Sequence, residues 1–162
     1  AIKFFMIVVK KITLFLFMLI AGHPVMSQAA YPYQDIKLEK PSDYIETGPL
    51  ALSAANLILT SPFDEDDTKR ANALKFLSSW MQGAKGYNFY TQGVAEQIRG
   101  DFNLLTLFIA ALVKYNLTHK SGEVNSIAME KDICVTLLNY ADNPVNNFHL
   151  KKKMRKILEN NK

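Results

Sequence analysis

Between Asp101 and Thr118 the chain carries Phe102, Leu104, Leu105, Leu107, Phe108, Ile109, Leu112, Val113 and Leu117, opened by Gly100-Asp101. Apolar side chains spread this widely around a helical period predict a helix with neighbours over much of its circumference, because hydrophobic surface left in water costs about 25 cal/mol per Å². Asn103, Thr106, Lys114 and Asn116 interrupt the run. It therefore falls short of the roughly 18 uninterrupted apolar residues that a bilayer-spanning reading needs. The pattern predicts the central helix of a protein core.

The rest of the chain is punctuated in a way that predicts more helices around this one. Pro49 to about Leu59 is apolar nearly all round, with Thr47 or Gly48 positioned to cap, Pro49 preset at the first helical position and Ser61-Pro62 closing it. A second segment starts in Asp64-Glu65-Asp66-Asp67 and runs to about Gln82, with Ala73, Leu74, Leu77, Trp80 and Met81 at spacings of three and four and Gly83 as terminator. Residues 84–90 read as a loop, and a short helix is expected over about Gln92 to Ile98. Glu123 to about Ala141 places Ile127, Cys134, Leu137, Leu138 and Ala141 on one face and stops at Asn143-Pro144. The last helix, about Asn147 to Glu159, sets Leu150, Met154, Ile157 and Leu158 against a basic opposite side. Convincing strand alternation is missing from the pattern, so the expected fold is all-α, an irregular bundle of five to six helices.

Cys134 is the one cysteine, so an intramolecular disulfide is excluded and stability must come from packing. At the other end of the chain, Lys10-Lys11, the apolar run Ile12 to Ala21 and Ser27-Gln28-Ala29 match the three-part pattern of an export signal, with Met6 as the natural start. About ten apolar residues are too few for a retained membrane span. The expected organisation is a signal peptide over 1–29, an extended arm over 30–48 and a single helical domain over 49–162. The expected address is export, to a periplasm or the extracellular space, with no transmembrane span in the mature chain.

Charge is placed unevenly. The formal +4 falls to +1 without Lys3, Lys10 and Lys11, while Asp35 to Asp67 holds eight acidic residues against Lys37 and Lys40. Lys151, Lys152, Lys153, Arg155, Lys156 and Lys162 against Glu159 make the end basic. Such a dipolar chain can dock its own tail or a partner of either sign. The candidate contact residues are Lys151, Lys152, Lys153, Arg155 and Lys156, facing an envelope protein with an acidic surface. Export argues against nucleic acid as that partner. Tyr87, Phe89 and Tyr90 form a second candidate patch, since tyrosine offers large contact area at low entropic cost; packing into the core is the competing use.

Other chemistry is thinly represented. His119 and His149 sit on separate predicted helices without Cys, Asp or Glu at metal-ligand spacing, so neither a zinc site nor any cofactor is expected. Asp64 to Asp67 lacks the spaced ligands, the glycine and the closing glutamate of a helix-loop-helix calcium site, and reads instead as charge matched to a helix N-terminus. Cys134 lies in an apolar stripe, where a thiol behaves as a small hydrophobe. Asn116-Leu117-Thr118 matches a glycosylation sequon but falls inside the central helix, and no role is assigned to it.

Thr60-Ser61-Pro62, Phe76-Leu77-Ser78-Ser79-Trp80-Met81-Gln82-Gly83 and the stretch from Leu104-Leu105 to Lys114-Tyr115 resemble small, uncharacterised exported helical proteins of Bacteroidetes. The resemblance covers roughly residues 50–160 and implies an exported helical domain of unknown function. Residue chemistry and resemblance together predict a non-catalytic interaction or accessory protein of the bacterial envelope. The alternative is a carrier of a small apolar or lipid-like ligand, held between the Phe102–Leu117 helix and its neighbours.

Overall fold

The computed structural model describes residues 32–89, 93–119 and 125–162. The expected signal peptide, Tyr90 and the expected helix start at Glu123 lie outside the described residues. Residues 31–162 form one compact unit. Among the described residues there are seven α-helices: α1 Pro41–Glu46, α2 Gly48–Thr60, α3 Thr68–Gly83, α4 Val94–Ile98, α5 Phe102–Thr118, α6 Ser126–Asp142 and α7 Lys152–Asn160, with a 3-10 turn at Pro144–Asn146.

Helix starts are set by short polar side chains that satisfy amides with no partner inside the helix. Asp67 accepts from Lys69 N at 2.8 Å and Arg70 N at 3.4 Å, Asp101 from Leu104 N at 3.2 Å, and Asn125 from Ile127 N at 2.9 Å. Each such cap is worth about 1 kcal/mol. The acidic run thus opens α3 as expected, although only Asp67 is the cap and residues 64–66 form the loop before it.

α5 is the central element, packed against α2, α3, α4 and α6, while α7 closes over α6 and α4. Trp80, Phe108, Ile58, Leu77, Leu104, Leu107, Met129, Ile133, Leu137 and Leu158 are fully buried. Ala51, Ala54 and Ala55 on α2 are also completely covered. Their small side chains let α3 and α5 approach the α2 backbone on either side, in keeping with the all-round apolar pattern of that segment.

Two expectations are corrected. The arm is not extended throughout 30–48: Pro41–Glu46 is helical, because Pro41 presets the first turn and the Asp43 carboxylate takes the amides of Glu39 at 2.8 Å and Lys40 at 2.9 Å. Those two amides hold the Asp43 carboxyl below its ordinary range. Ile127 is 61% exposed instead of lying on the core stripe of α6. Met129, about 200° further round the first turn at 3.6 residues per turn, is the side chain that meets Asn116 on α5. Gly83 is the last residue of α3, as expected, and a Cβ there would collide with the ring of Tyr44. Tyr44 in turn ties α1 down, its carbonyl accepting from Trp80 Nε1 at 2.9 Å and its hydroxyl donating to Leu38 O at 3.1 Å.

Candidate functional site

The basic tail is partly consumed within the domain. Lys151 Nζ lies 2.9 Å from Asp101 Oδ2, and Asp101 is the carboxylate whose other oxygen caps α5. Arg155 Nη2 donates to Asp142 Oδ1 at 2.6 Å, and its Nη1 lies 3.9 Å from Glu159. The guanidinium holds the Asp142 carboxyl below its usual range, and that carboxylate holds Arg155 above its own. Lys152, Lys153 and Lys156 are exposed, with no carboxylate within ion-pair distance among the described residues. The apolar face of α7 is already used: Met154 and Leu158 are buried and Ile157 and Leu150 half-buried. The five candidate basic residues therefore divide into two structural ion pairs and one small cationic face.

The candidate aromatic patch sits against the core. Trp80 lies under Tyr87 and Phe89, with ring centroids 5.2 and 6.1 Å away, and the two rings are 6.0 Å from each other. Both are half-buried. Their loop is held by Asn116, which is 2% exposed. Its Oδ1 accepts from Asn88 N at 2.8 Å, and its Nδ2 donates to Asn88 O at 2.8 Å and Leu112 O at 3.0 Å. The sequon asparagine is thus a two-sided clamp on the loop backbone, and its amide nitrogen is committed to carbonyls. Sequence reasoning missed this because its partner lies 28 residues away.

Among the concave features of the described residues is a groove of about 540 Å³ between α3 and α5. Ile58 of α2 forms its floor; Ala71, Leu74 and Ser78 line one wall, and Phe102, Leu105 and Ile109 the other. The two walls start at the same end, where Asn103 Nδ2 donates to Glu65 Oε1 at 2.6 Å. Asp64, Glu65 and Asp67 rim that end, and Lys75 stands further along. Phe102 is 70% exposed. The signal for this groove was present in the excess apolar width of α5, since Leu104, Leu107 and Phe108 face the core while Phe102, Leu105 and Ile109 face the groove.

The acidic end is held rigidly. Arg70 is buried and its Nη1 donates to the carbonyls Ile58 O at 2.7 Å and Ser61 O at 3.4 Å and to the Ser61 hydroxyl at 3.0 Å, at the C-terminus of α2 where positive charge also suits the helix dipole. Its guanidinium lies 5.5 Å from the centre of the Phe63 ring. Phe63 N donates to Asn146 O at 2.7 Å, its ring meets Phe148 edge-on at 5.1 Å, and Tyr140 donates to Ser61 O at 2.9 Å. Burial pushes the Tyr140 hydroxyl above its ordinary range, with nearby Arg70 opposing. Asp64, Glu65 and Asp66 have no lysine or arginine within ion-pair distance among the described residues.

Among the described residues no group of three or more His, Cys, Asp or Glu side chains could hold a metal ion. Burial pushes the Cys134 thiol up to about 12, out of the nucleophilic range near neutral pH. His119 stacks on Tyr115 at 3.8 Å with Nδ1 2.8 Å from Tyr115 O. His149 is exposed. Among the described residues no helix is long and apolar enough to cross a membrane. No family model, curated protein or solved structure matches the chain, so the resemblance to exported Bacteroidetes proteins gains no support from these comparisons.

Proposed function

We propose that this chain is an exported, non-catalytic interaction module of a bacterial envelope, and that its working surface is the α3/α5 groove. The observation that carries the reading is a pre-formed apolar cleft whose walls belong to two capped helices and whose acidic end is pinned by Arg70, Phe63 and Tyr140. Such rigidity lowers the entropic cost of binding. The face formed by Lys152, Lys153 and Lys156 adds a cationic contact for an acidic partner, and it works by electrostatics alone because the apolar side of α7 is used internally. The address comes from the N-terminal sequence pattern.

The test is site-specific photo-cross-linking in the host envelope, with the reactive group placed in turn at Leu74, Ile109 and the exposed Lys85. One polypeptide captured from both groove positions and not from Lys85 supports the reading. Equal capture from all three, or none from the groove, refutes it. The groove volume, inside the roughly 300–1,000 Å³ typical of small-molecule sites, favours one second reading, a carrier of a small apolar or lipid-like ligand. Native mass spectrometry of protein purified from its host decides this: a stoichiometric added mass lost in the Ile109→Arg variant supports the carrier, and bare polypeptide rejects it.

A further inference from the structure

We infer that the occupant of the groove is an amphipathic α-helix of another polypeptide, seated with lysine or arginine side chains at the Asp64–Asp66 end. The inference rests on the groove being the working surface and adds the partner's chemistry. α3 and α5 both pack on α2 and leave between them a seam floored by Ile58, the position a further helix occupies in a layered bundle. Wall residues recur at helical spacing on both sides, Ala71, Leu74 and Ser78 on α3 against Phe102, Leu105 and Ile109 on α5. At 1.5 Å per residue each wall runs about 10 Å, roughly two turns, which suits anchors at i, i+3 or i+4, and i+7 on an incoming helix.

Charge fixes the chemistry of one end. Asp67 and Asp101 are spent as caps, so the positive ends of α3 and α5 are already answered. Glu65 accepts a neutral amide from Asn103, and Asp64 Oδ1 accepts Asp66 N at 2.9 Å. These hydrogen bonds orient the carboxylates without neutralising them; Arg70 at the same end is turned to Ile58 O and Ser61, and no lysine or arginine lies within ion-pair distance of Asp64, Glu65 or Asp66 among the described residues. Lys75 stands midway along the α3 wall, between Ala71 and Ser78. A helix with cations at the acidic end matches this rim; an acidic headgroup there is repelled.

The experiment uses the full chain. Two synthetic helical peptides of about 14 residues, or four turns, share the same leucine stripe and differ only in carrying two lysines or two glutamates at one end. Fluorescence anisotropy at low salt is expected to show the lysine-ended peptide binding about fivefold more tightly, the scale of two exposed ion pairs, with the difference shrinking at about 1 M salt where the screening length is ~3 Å. Replacing Asp64→Asn, Glu65→Gln and Asp66→Asn together keeps the fold, since the amides preserve the acceptor oxygens, and abolishes the preference. Equal binding of both peptides, or a lysine preference that survives the triple replacement, overturns the inference. If neither peptide binds while cross-links from Leu74 and Ile109 persist, the helix inference fails and the groove reading stands. If the cross-links vanish as well, both fail.

Discussion

Replacing Asn116→Ala removes one side chain and opens four hydrogen bonds, two of them to the backbone of Asn88, one to Leu112 O and a weak one to Met129 Sδ. A typical intramolecular hydrogen bond contributes about 1 kcal/mol net, and a buried group left without a partner costs roughly 1–3 kcal/mol. Leu112 O keeps its helical partner, so the exposed cost falls mainly on the N–H and C=O of Asn88, which are half-buried and recover some hydration. The expected destabilisation is about 3 kcal/mol by these magnitudes. For a domain of this size that lowers Tm by roughly 10 °C. Trp80 is the only tryptophan in the chain, and it is covered by Tyr87 and Phe89 on the clamped loop. Urea unfolding followed by its fluorescence therefore reads stability and loop position in one titration. The native emission of the variant is expected to shift to the red before the global transition, as water reaches the indole. A loss below about 1 kcal/mol together with unshifted emission refutes the clamp, because one hydrogen bond alone would account for that much.

Three further outcomes follow from particular contacts. Gly83→Ala places a methyl group inside the Tyr44 ring and is expected to cost about 2 kcal/mol, the scale of overpacking, in thermal melts; the same change in a Tyr44→Ala background should cost little more, and an additive loss would refute the collision. Lys151→Ala leaves the nearly covered Asp101 carboxylate without its cation and should destabilise by about 1 kcal/mol, whereas Lys153→Ala should fall within ~0.5 kcal/mol of the parent; equal effects in chemical denaturation would count against the assignment. The Asp142 carboxyl is depressed chiefly by its hydrogen bond to Arg155, so its contribution is present above its unfolded value and lost as pH falls through the lower folded value. Its NMR titration midpoint should lie below 3.8 and move upward in Arg155→Ala, and a midpoint unmoved by that change would refute the cause.

How far the sequence was legible depended on the range over which each signal acts. The body of α5, the Asp101 cap and the stop before Pro144 are local, and they emerge where the spacing places them. Pro41–Glu46 escaped because six residues give too little length for a period, leaving only Pro41 and Asp43 as cues. Ile127 has the right heptad spacing to Cys134, but the first turn of α6 meets its neighbour through Met129, and no one-dimensional pattern reports which side of a helix end is covered. The tail's charge was visible from composition. That two of its five candidate cations are tied to Asp101 and Asp142 required the fold, since Lys151 and Asp101 belong to different helices' ends. The groove lay between these cases: the alternative of a ligand held beside the Phe102–Leu117 helix pointed to that helix, while the acidic end became part of the groove only when Asn103 and Glu65 met.

The division of labour within Asp101 has a consequence for how the chain is made. One oxygen opens the central helix and the other holds Lys151, so the start of α5 gains its counter-ion only when a residue about fifty positions later in the chain has docked. Until then a carboxylate destined for near-complete burial has water and the helix end as its only partners. The C-terminal helix therefore does two things at once, packing against α4 and α6 while the residue before it supplies the counter-ion at the start of α5. A chain ending before residue 151 would emerge with its central helix written in full but left unlatched at its first turn.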